Sequence, residues 1–359
     1  MTKRKPITEK VKALVNEIIP HEYTVDINWV QEKITELELH KIGHGLSMGG
    51  LDLTLTEQAE ISRQFGRTRL CFRNLFSYTS SLSATCIYEY AHVKLAEPLL
   101  ERINRGEVVS FALTEPHGGS SLSKIKSSWY VDNNQAYLTG EKSLIGNAKH
   151  ASKFLILARG EDSQLTMFAV DANDVKVSEP LEKMGQEGID VSNIKFMMAK
   201  GTVIGGVGNG AEVAKKTLIR SRVLISAAAI GMAGRAIEET IKYATDRKTI
   251  KHQLIQGMLA DSYTDLFASK SMLHQVTSQI LPHNMIREIE LNASALKLHS
   301  AQMVNRVLDN CVQIMGGQGV IRGHIVEEFY RDARAFRIFE GTDEMQKLTI
   351  CTALRMRDG

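Results

Sequence analysis

The hydrophobic period of this chain changes twice, and that constrains its fold more than any other feature. Up to about residue 106 the apolar residues recur at helical spacing. The stretch 56–67 places Ala59, Ile61 and Phe65 on one face behind a cap at Thr56, and 87–107 repeats the pattern until Gly106. From residue 108 to about 205 short β-rich runs follow one another: VVSFALTE, SSWYVD, AYLTGE, KFLILARG, LTMFAVD, VKVSEP and IKFMMAK. Gly, Asp and Asn turns divide them, as in an antiparallel sheet or a small barrel. Helical period returns at Ala211 and runs to Arg247 as one helix or two, around an Ala227-Ala228-Ala229-Ile230-Gly231 centre that permits close packing. A further periodic stretch covers 287–314. The α+β reading has three parts: an N-terminal helical domain (1–107), a middle antiparallel β domain (108–208) and a C-terminal helical bundle (209–359).

Composition narrows the class of function. With 359 residues, 43% of them hydrophobic and 24% charged, the chain can build ample core. A formal charge of +3 with no basic–aromatic run argues against nucleic acid. Cys71, Cys86, Cys311 and Cys351 are scattered without metal-ligand or disulfide spacing, so no metal site and a reducing, cytoplasmic setting are expected. No run of about 18 apolar residues suggests a membrane span.

The segment from Gln313 to Ile350 carries the chemistry. A Gly-rich turn is followed by Tyr330-Arg331-Asp332, then by the apolar pair Ile338-Phe339, then by Glu340-Gly341-Thr342. A carboxylate after an apolar run and before a helix start can be desolvated, with its pKa raised toward that of a general base. The bland alternative is a solvated loop Glu ahead of a helix capped by Thr342, with Asp343 and Glu344 favoured by the helix dipole. This segment closely resembles the C-terminal signature of the acyl-CoA dehydrogenase family. The resemblance implies that Glu340 removes the α-proton of an acyl thioester while FAD takes the β-hydrogen as hydride at flavin N5. It also implies the family fold, whose C-terminal part is a four-helix bundle.

Other stretches support the resemblance. Thr114-Glu115-Pro116-His117-Gly118-Gly119-Ser120 reads physically as a strand ending in a tight turn whose N–H groups and hydroxyls are free for a ligand. It resembles a family element in which Leu113 and Thr114 would touch the isoalloxazine and Ser120 would line both the flavin and the thioester. Gly140 to Asn147 resembles the strand that stacks on the flavin, but Leu144 stands where an aromatic is common, and Gly146 where Thr or Ser is common. Arg222 matches an Arg near the thioester, and Gly341 follows the catalytic Glu. Arg247 matches an Arg that reaches the FAD pyrophosphate of a neighbouring subunit. Gln313, Gly316 and Gly317 match a turn that approaches a partner's FAD, and Thr342 and Glu344 match positions near FAD. Taken alone, a Gly-Gly after a helix is a C-cap, and an Arg at a helix end serves the dipole.

The implied activity is that of an FAD-dependent acyl-thioester dehydrogenase. Its electrons would pass to an electron-transfer flavoprotein or similar acceptor, and the assembly would be a homodimer or homotetramer. The altered wall at Leu144 and Gly146, Ile219 in place of an acidic contact and the short N-terminal helical region point to a specialised biosynthetic member, and Arg73, where the comparable family stretch is apolar or small, to a polar acyl group. One form of this is a small hydroxyacyl group on an acyl carrier protein rather than on CoA. The alternative of another class is a flavin-binding relative without turnover.

Overall fold

The computed structural model describes residues 6–279 and 287–355. Six helices come first: α1 (Ile7–Ile18), α2 (Ile27–Glu36), α3 (Leu55–Phe65), α4 (Leu70–Ser77), α5 (Thr85–Tyr90) and α6 (Val93–Asn104). A π-helical segment, Tyr78–Ala84, joins α4 to α5. Two boundaries differ from the sequence reading. The cap of α3 is Thr54 rather than Thr56. The Thr54 hydroxyl accepts from Glu57 N, and the Glu57 carboxylate accepts from Thr54 N, which closes a capping box two residues earlier. The stretch 87–107 is not one helix. It breaks at Ala91, where the backbone is extended, because the His92 ring accepts from Lys94 N and starts α6 afresh.

Seven strands follow: β1 (Val108–Ala112), β2 (Ser128–Asp132), β3 (Gln135–Gly146), β4 (Ala151–Arg159), β5 (Leu165–Asp171), β6 (Val175–Val177) and β7 (Val191–Ile204). β4 pairs with β5, β5 with β7, β7 with β3 and β3 with β2, all antiparallel. The Ser128–Arg159 bridge brings β2 back to β4, which closes the ring into a small barrel. β6 adds to β7. The expected antiparallel pairing has one exception beyond that bridge: β1 lies parallel to β4, Val109 opposite Lys153 and Ala112 opposite Ile156. A parallel neighbour needs a long connection, and the excursion through the 113–127 loop and the β2–β3 hairpin supplies it.

β4 and β5 read as unbroken apolar runs because both their faces are buried. Phe154, Ile156, Phe168 and Val170 fill the barrel. Leu155, Leu157 and Met167 pack on Leu99, Leu100 and Ile103 of α6. Period-2 geometry assigns alternate residues to the two cores.

The last part holds α7 (Gly210–Asp246), α8 (Gln253–Gln279), α9 (Arg287–Met315), α10 (Ile325–Ala333) and α11 (Asp343–Arg355). The 211–247 stretch is thus a single helix. α7 is long and apolar enough to cross a membrane, but 89% of its most apolar window is buried inside the protein, so it serves as a core helix. α8 escaped the sequence reading because half of its buried face is polar: Ser262, Ser269 and Thr277 alternate with Leu266, Leu273 and Val276. The segment 183–186 docks on α10, where Gln186 N donates to the Asp332 carboxylate.

α3 crosses α7 at backbone contact. A Cβ on Gly231 would fall on the Arg63 carbonyl oxygen, and one on Gly66 would fall on the Ala228 carbonyl oxygen. The Ser62 hydroxyl donates to the Leu224 carbonyl at 2.6 Å in the same crossing. Gly231→Ala is expected to lower stability by about 2–3 kcal/mol in urea unfolding. Helix propensity alone would favour the substitution by about 1 kcal/mol, so the sign of the change tests the crossing.

Candidate active site

Glu340 and Gly341 form the turn between Arg334–Arg337 and α11, and both have left-handed φ angles, 56° and 98°. A left-handed Glu is strained and persists only where its surroundings hold it. Three helices do so here. From α7, Arg222 Nε donates to the Glu340 carbonyl at 3.3 Å. From α9, Lys297 Nζ donates to the Gly341 carbonyl at 2.5 Å. From α11, Gln346 Nε2 donates to the Gly341 carbonyl at 2.9 Å and to that of Glu340 at 3.4 Å. Thr342 caps α11, its hydroxyl accepting from Met345 N at 3.3 Å. Glu344 is exposed, and hydrogen bonds from its own backbone N–H and the Thr342 hydroxyl pull its pKa below the usual carboxylate range.

The Glu340 residue is half-buried, but its Oε2 is sealed from solvent and has no hydrogen-bond partner among the described residues. Burial pushes its carboxyl pKa up. Arg73 opposes this most, then a hydrogen bond to Ser221, then Lys297 and Arg222. All three cations are buried themselves, at 3%, 1% and 8% exposure for Arg73, Lys297 and Arg222. Arg222 also donates to Ser294 Oγ at 3.3 Å. Burial lowers the Lys297 pKa to about 8. The Glu340 N–H makes no hydrogen bond among the described residues.

The end of β1 and the bulged part of β3 carry the other residues expected at the flavin. Leu113 O accepts from Lys142 Nζ at 3.2 Å, and Thr114 O accepts from Ser143 N at 2.8 Å. Glu115 anchors this loop: its carboxylate takes Lys142 Nζ at 2.8 Å, Lys126 N at 2.7 Å and Ser127 N at 3.0 Å, with both ionic side chains buried. Leu144 is 62% exposed and left-handed (φ 61°), where the register of β3 against β7 shifts, and its N–H donates to Asn193 Oδ1. Gly146 ends β3 against the Tyr78 ring, where a Cβ would lie 2.8–3.0 Å from three ring carbons. The missing hydroxyl at 146 therefore has a steric cause. Ser120 lies exposed in the loop after Glu115.

Four expected cofactor residues lie elsewhere. α7 and α9 run parallel, since Arg222 meets Ser294 and Thr240 meets Cys311. Arg247 follows α7 25 residues beyond Arg222, about 37 Å along the axis at 1.5 Å per residue. Exposed Gln313, Gly316 and Gly317 sit at the same end of the bundle. One chain cannot bring this group and Glu340 to the same flavin ring.

The chain matches the family description "Acyl-CoA dehydrogenase, middle domain" over residues 110–198 and "Acyl-CoA dehydrogenase, C-terminal domain" over 208–354. It is 30% identical over 315 residues to the 3-(aryl)acrylate reductase of Clostridium sporogenes, covering 84% of this chain and 82% of that protein. The chain belongs to the acyl-CoA dehydrogenase family. It is also 34% identical over 257 residues to the caffeyl-CoA reductase-Etf complex subunit CarC of Acetobacterium woodii, covering 67% of each chain. The fold superposes on butyryl-CoA dehydrogenase of Megasphaera elsdenii with a TM-score of 0.89 at 22% identity, covering 99% and 100% of the two chains. As a family member, the chain is an oxidoreductase acting on the CH–CH bond of an acyl thioester, and its cofactor is FAD.

The residues present fit that group. Glu340 Oε2, Asp343 Oδ1 and Gln346 Oε1 are buried acceptors, unpartnered among the described residues, on one turn of chain, ready for the hydroxyl and amide donors of a ligand. Sequence reasoning missed Lys297, Gln346 and Tyr78. For Lys297 a signal existed, because it lies four residues from Ala293 on the apolar face of α9, where a Lys must be buried and paired. Lys142→Met, which leaves the Glu115 carboxylate buried with only two backbone donors, is expected to lower stability by about 3 kcal/mol in denaturant unfolding.

Proposed function

We propose that the protein is an FAD-dependent acyl-thioester dehydrogenase in which Glu340 is the base that takes the α-proton. The observation that carries this reading is the Glu340 carboxyl, buried yet kept ionisable by Arg73, Lys297 and Arg222 and aimed by a turn clamped from three helices. Burial raises its proton affinity, which suits a base that must pull a weakly acidic C–H, while the three cations favour its ionised form. The free Glu340 N–H is suited to hydrogen-bond the thioester carbonyl and so stabilise enolate character as the proton leaves. FAD, when bound, accepts the β-hydrogen as hydride.

Leu113, Thr114, Leu144 and Gly146 are proposed to flank the flavin ring, with Ser120 between flavin and thioester. Thr342 and Glu344 would sit near the same flavin. Arg222 and Gly341 would serve the substrate side. Arg247, Gln313, Gly316 and Gly317 are proposed to hold the pyrophosphate end of a partner subunit's FAD, which makes a homodimer the smallest active unit. The CarC subunit is named as part of an Etf complex, which supports an electron-transfer flavoprotein as acceptor here. The potential of that acceptor sets the direction, since the proton that Glu340 removes in oxidation is the one it returns in reduction. Three of the four free cysteines are buried thiols, which suits the cytoplasm.

Glu340→Gln is expected to retain bound FAD and lower its anaerobic reduction by acyl thioester on the order of 10³-fold; reduction at the wild-type rate would remove Glu340 from the mechanism. The acid limb of flavin reduction tests the burial argument. The base must be deprotonated and its folded pKa is raised, so the rate falls as pH drops through a value above that of an exposed glutamate. A limb at the ordinary glutamate pKa would contradict the desolvation.

A further inference from the structure

Lys142 and Lys297 are both wholly buried, and they are held differently. Lys142 Nζ rests on a carboxylate, Glu115 at 2.8 Å, with the Leu113 carbonyl beside it at 3.2 Å. Lys297 makes no ion pair within 4 Å among the described residues, and its Nζ donates to one atom there, the Gly341 carbonyl. The charged groups that bear on it are Glu340 from the turn, Asp343 and Glu344 from α11, and Arg222 from α7.

Of the three cations around Glu340, Lys297 is the one that can lose its charge. A guanidinium stays protonated in proteins, while a buried ammonium gives up its proton far more readily. Arg73 and Arg222 also spend hydrogen bonds away from the turn, Arg73 on Ser62 and Asn74, Arg222 on Ser294. Lys297 spends its bond on the turn itself. The turn has little room to rearrange, since Gly341 is left-handed and a Cβ there would lie 2.5 Å from Gln346 Nε2. The Gly341 carbonyl is thus held by an ammonium and by a neutral amide, and of the two only the ammonium bond is charge-assisted.

Resting on the dehydrogenase reading, we propose that Lys297 is a positioning residue for the reaction: its ammonium holds the Glu340–Gly341 turn in place, so turnover needs Lys297 protonated as well as Glu340 ionised. Discharging Lys297 turns its bond to the carbonyl into an ordinary neutral one and takes away one of the cations that favour the Glu340 carboxylate. Burial brings that discharge down to about pH 8. The other titratable group that Glu340 bears on is the Tyr78 phenol, which burial pushes up to about 12, so it stays neutral across the same range. The proposed base therefore works less well on the alkaline side, where it is itself fully ionised.

The test follows anaerobic flavin bleaching by the holoenzyme against pH, with butyryl-CoA and 3-phenylpropanoyl-CoA as probes, in wild type, Lys297→Met and Lys297→Arg. Wild type is expected to show an alkaline limb at about pH 8. Lys297→Met fills the same space without charge. It should keep FAD, bleach on the order of 100-fold more slowly, lose the alkaline limb and move the acid limb to higher pH. Lys297→Arg, charged throughout the scan, should keep the acid limb and lose the alkaline one. An alkaline limb that persists in either variant, or bleaching by Lys297→Met at the wild-type rate, would overturn the proposal and leave the dehydrogenase standing.

A second readout needs no substrate. The folded pKa of Lys297 lies below that of an exposed lysine, about 10.4. Between about pH 8 and that value the unfolded chain keeps a proton that the folded one has lost, so stability rises with pH across the window. Urea unfolding of the holoenzyme on either side of pH 8 should show this rise in wild type and a smaller one in Lys297→Met, where Lys142, also brought to about 8, remains. An equal rise in both would place the lost proton elsewhere and overturn the proposal. Bleaching by neither thioester, with FAD bound and the smaller rise seen in Lys297→Met, would overturn the dehydrogenase reading and with it the role of Lys297 in turnover.

Discussion

The structure turns on one buried carboxylate and the cations that surround it. Glu340 draws its cations from three helices: Arg73 comes from α4, Arg222 from α7 and Lys297 from α9. A carboxylate sealed in this way would stay protonated if burial acted alone, and three buried cations would be costly without it. Each side makes the other tolerable. Because the three cations belong to different helices and Glu340 to a turn, the bundle, the N-terminal helices and the turn before α11 must all be in place before these charges meet.

The same economy governs the backbone. The left-handed pair Glu340-Gly341 is held by donors on its two carbonyls, which leaves the Glu340 side chain and N–H available for chemistry. Across the site, the buried Glu115–Lys142 pair does a comparable job for Leu113 and Thr114, tying the loop after β1 to β3. The bulge in β3 then turns Leu144 outward in a left-handed conformation, where it offers an apolar face rather than an aromatic one. The close α3–α7 crossing sets the distance between Arg73 and the bundle, since Ser62 on α3 both receives the Arg73 guanidinium and reaches the α7 backbone.

What could be seen in the chain and what could not divides along physical lines. The seven strands and the break between them and the helices were visible because β4, β5 and α9 have strong hydrophobic signals. α8 was not, because Ser262, Ser269 and Thr277 are buried through hydrogen bonds and look solvent-exposed by composition. The start of α3 slipped by two residues because Thr54 and Thr56 are equally good caps, and only the position of Glu57 relative to Thr54 selects between them. Gly146 could be flagged as a departure from its family but not explained, since its reason is the ring of Tyr78, 68 positions earlier in the chain.

By itself the sequence determined the order of helical and β parts, the family and Glu340 as the candidate base, because those rest on local period and on contiguous motifs. Tertiary structure alone decided that Arg73, Tyr78 and Lys297 lie around Glu340, and how far from it Arg247 and the Gln313–Gly317 turn stand. Such groupings depend on which faces of distant helices meet. A helix path of about 37 Å lies between Arg222 and Arg247, a separation that only the single unbroken α7 fixes. Burial is likewise a property of the packed molecule: the charge on Arg73 is written in the chain, but its burial near Glu340 is written only in the fold.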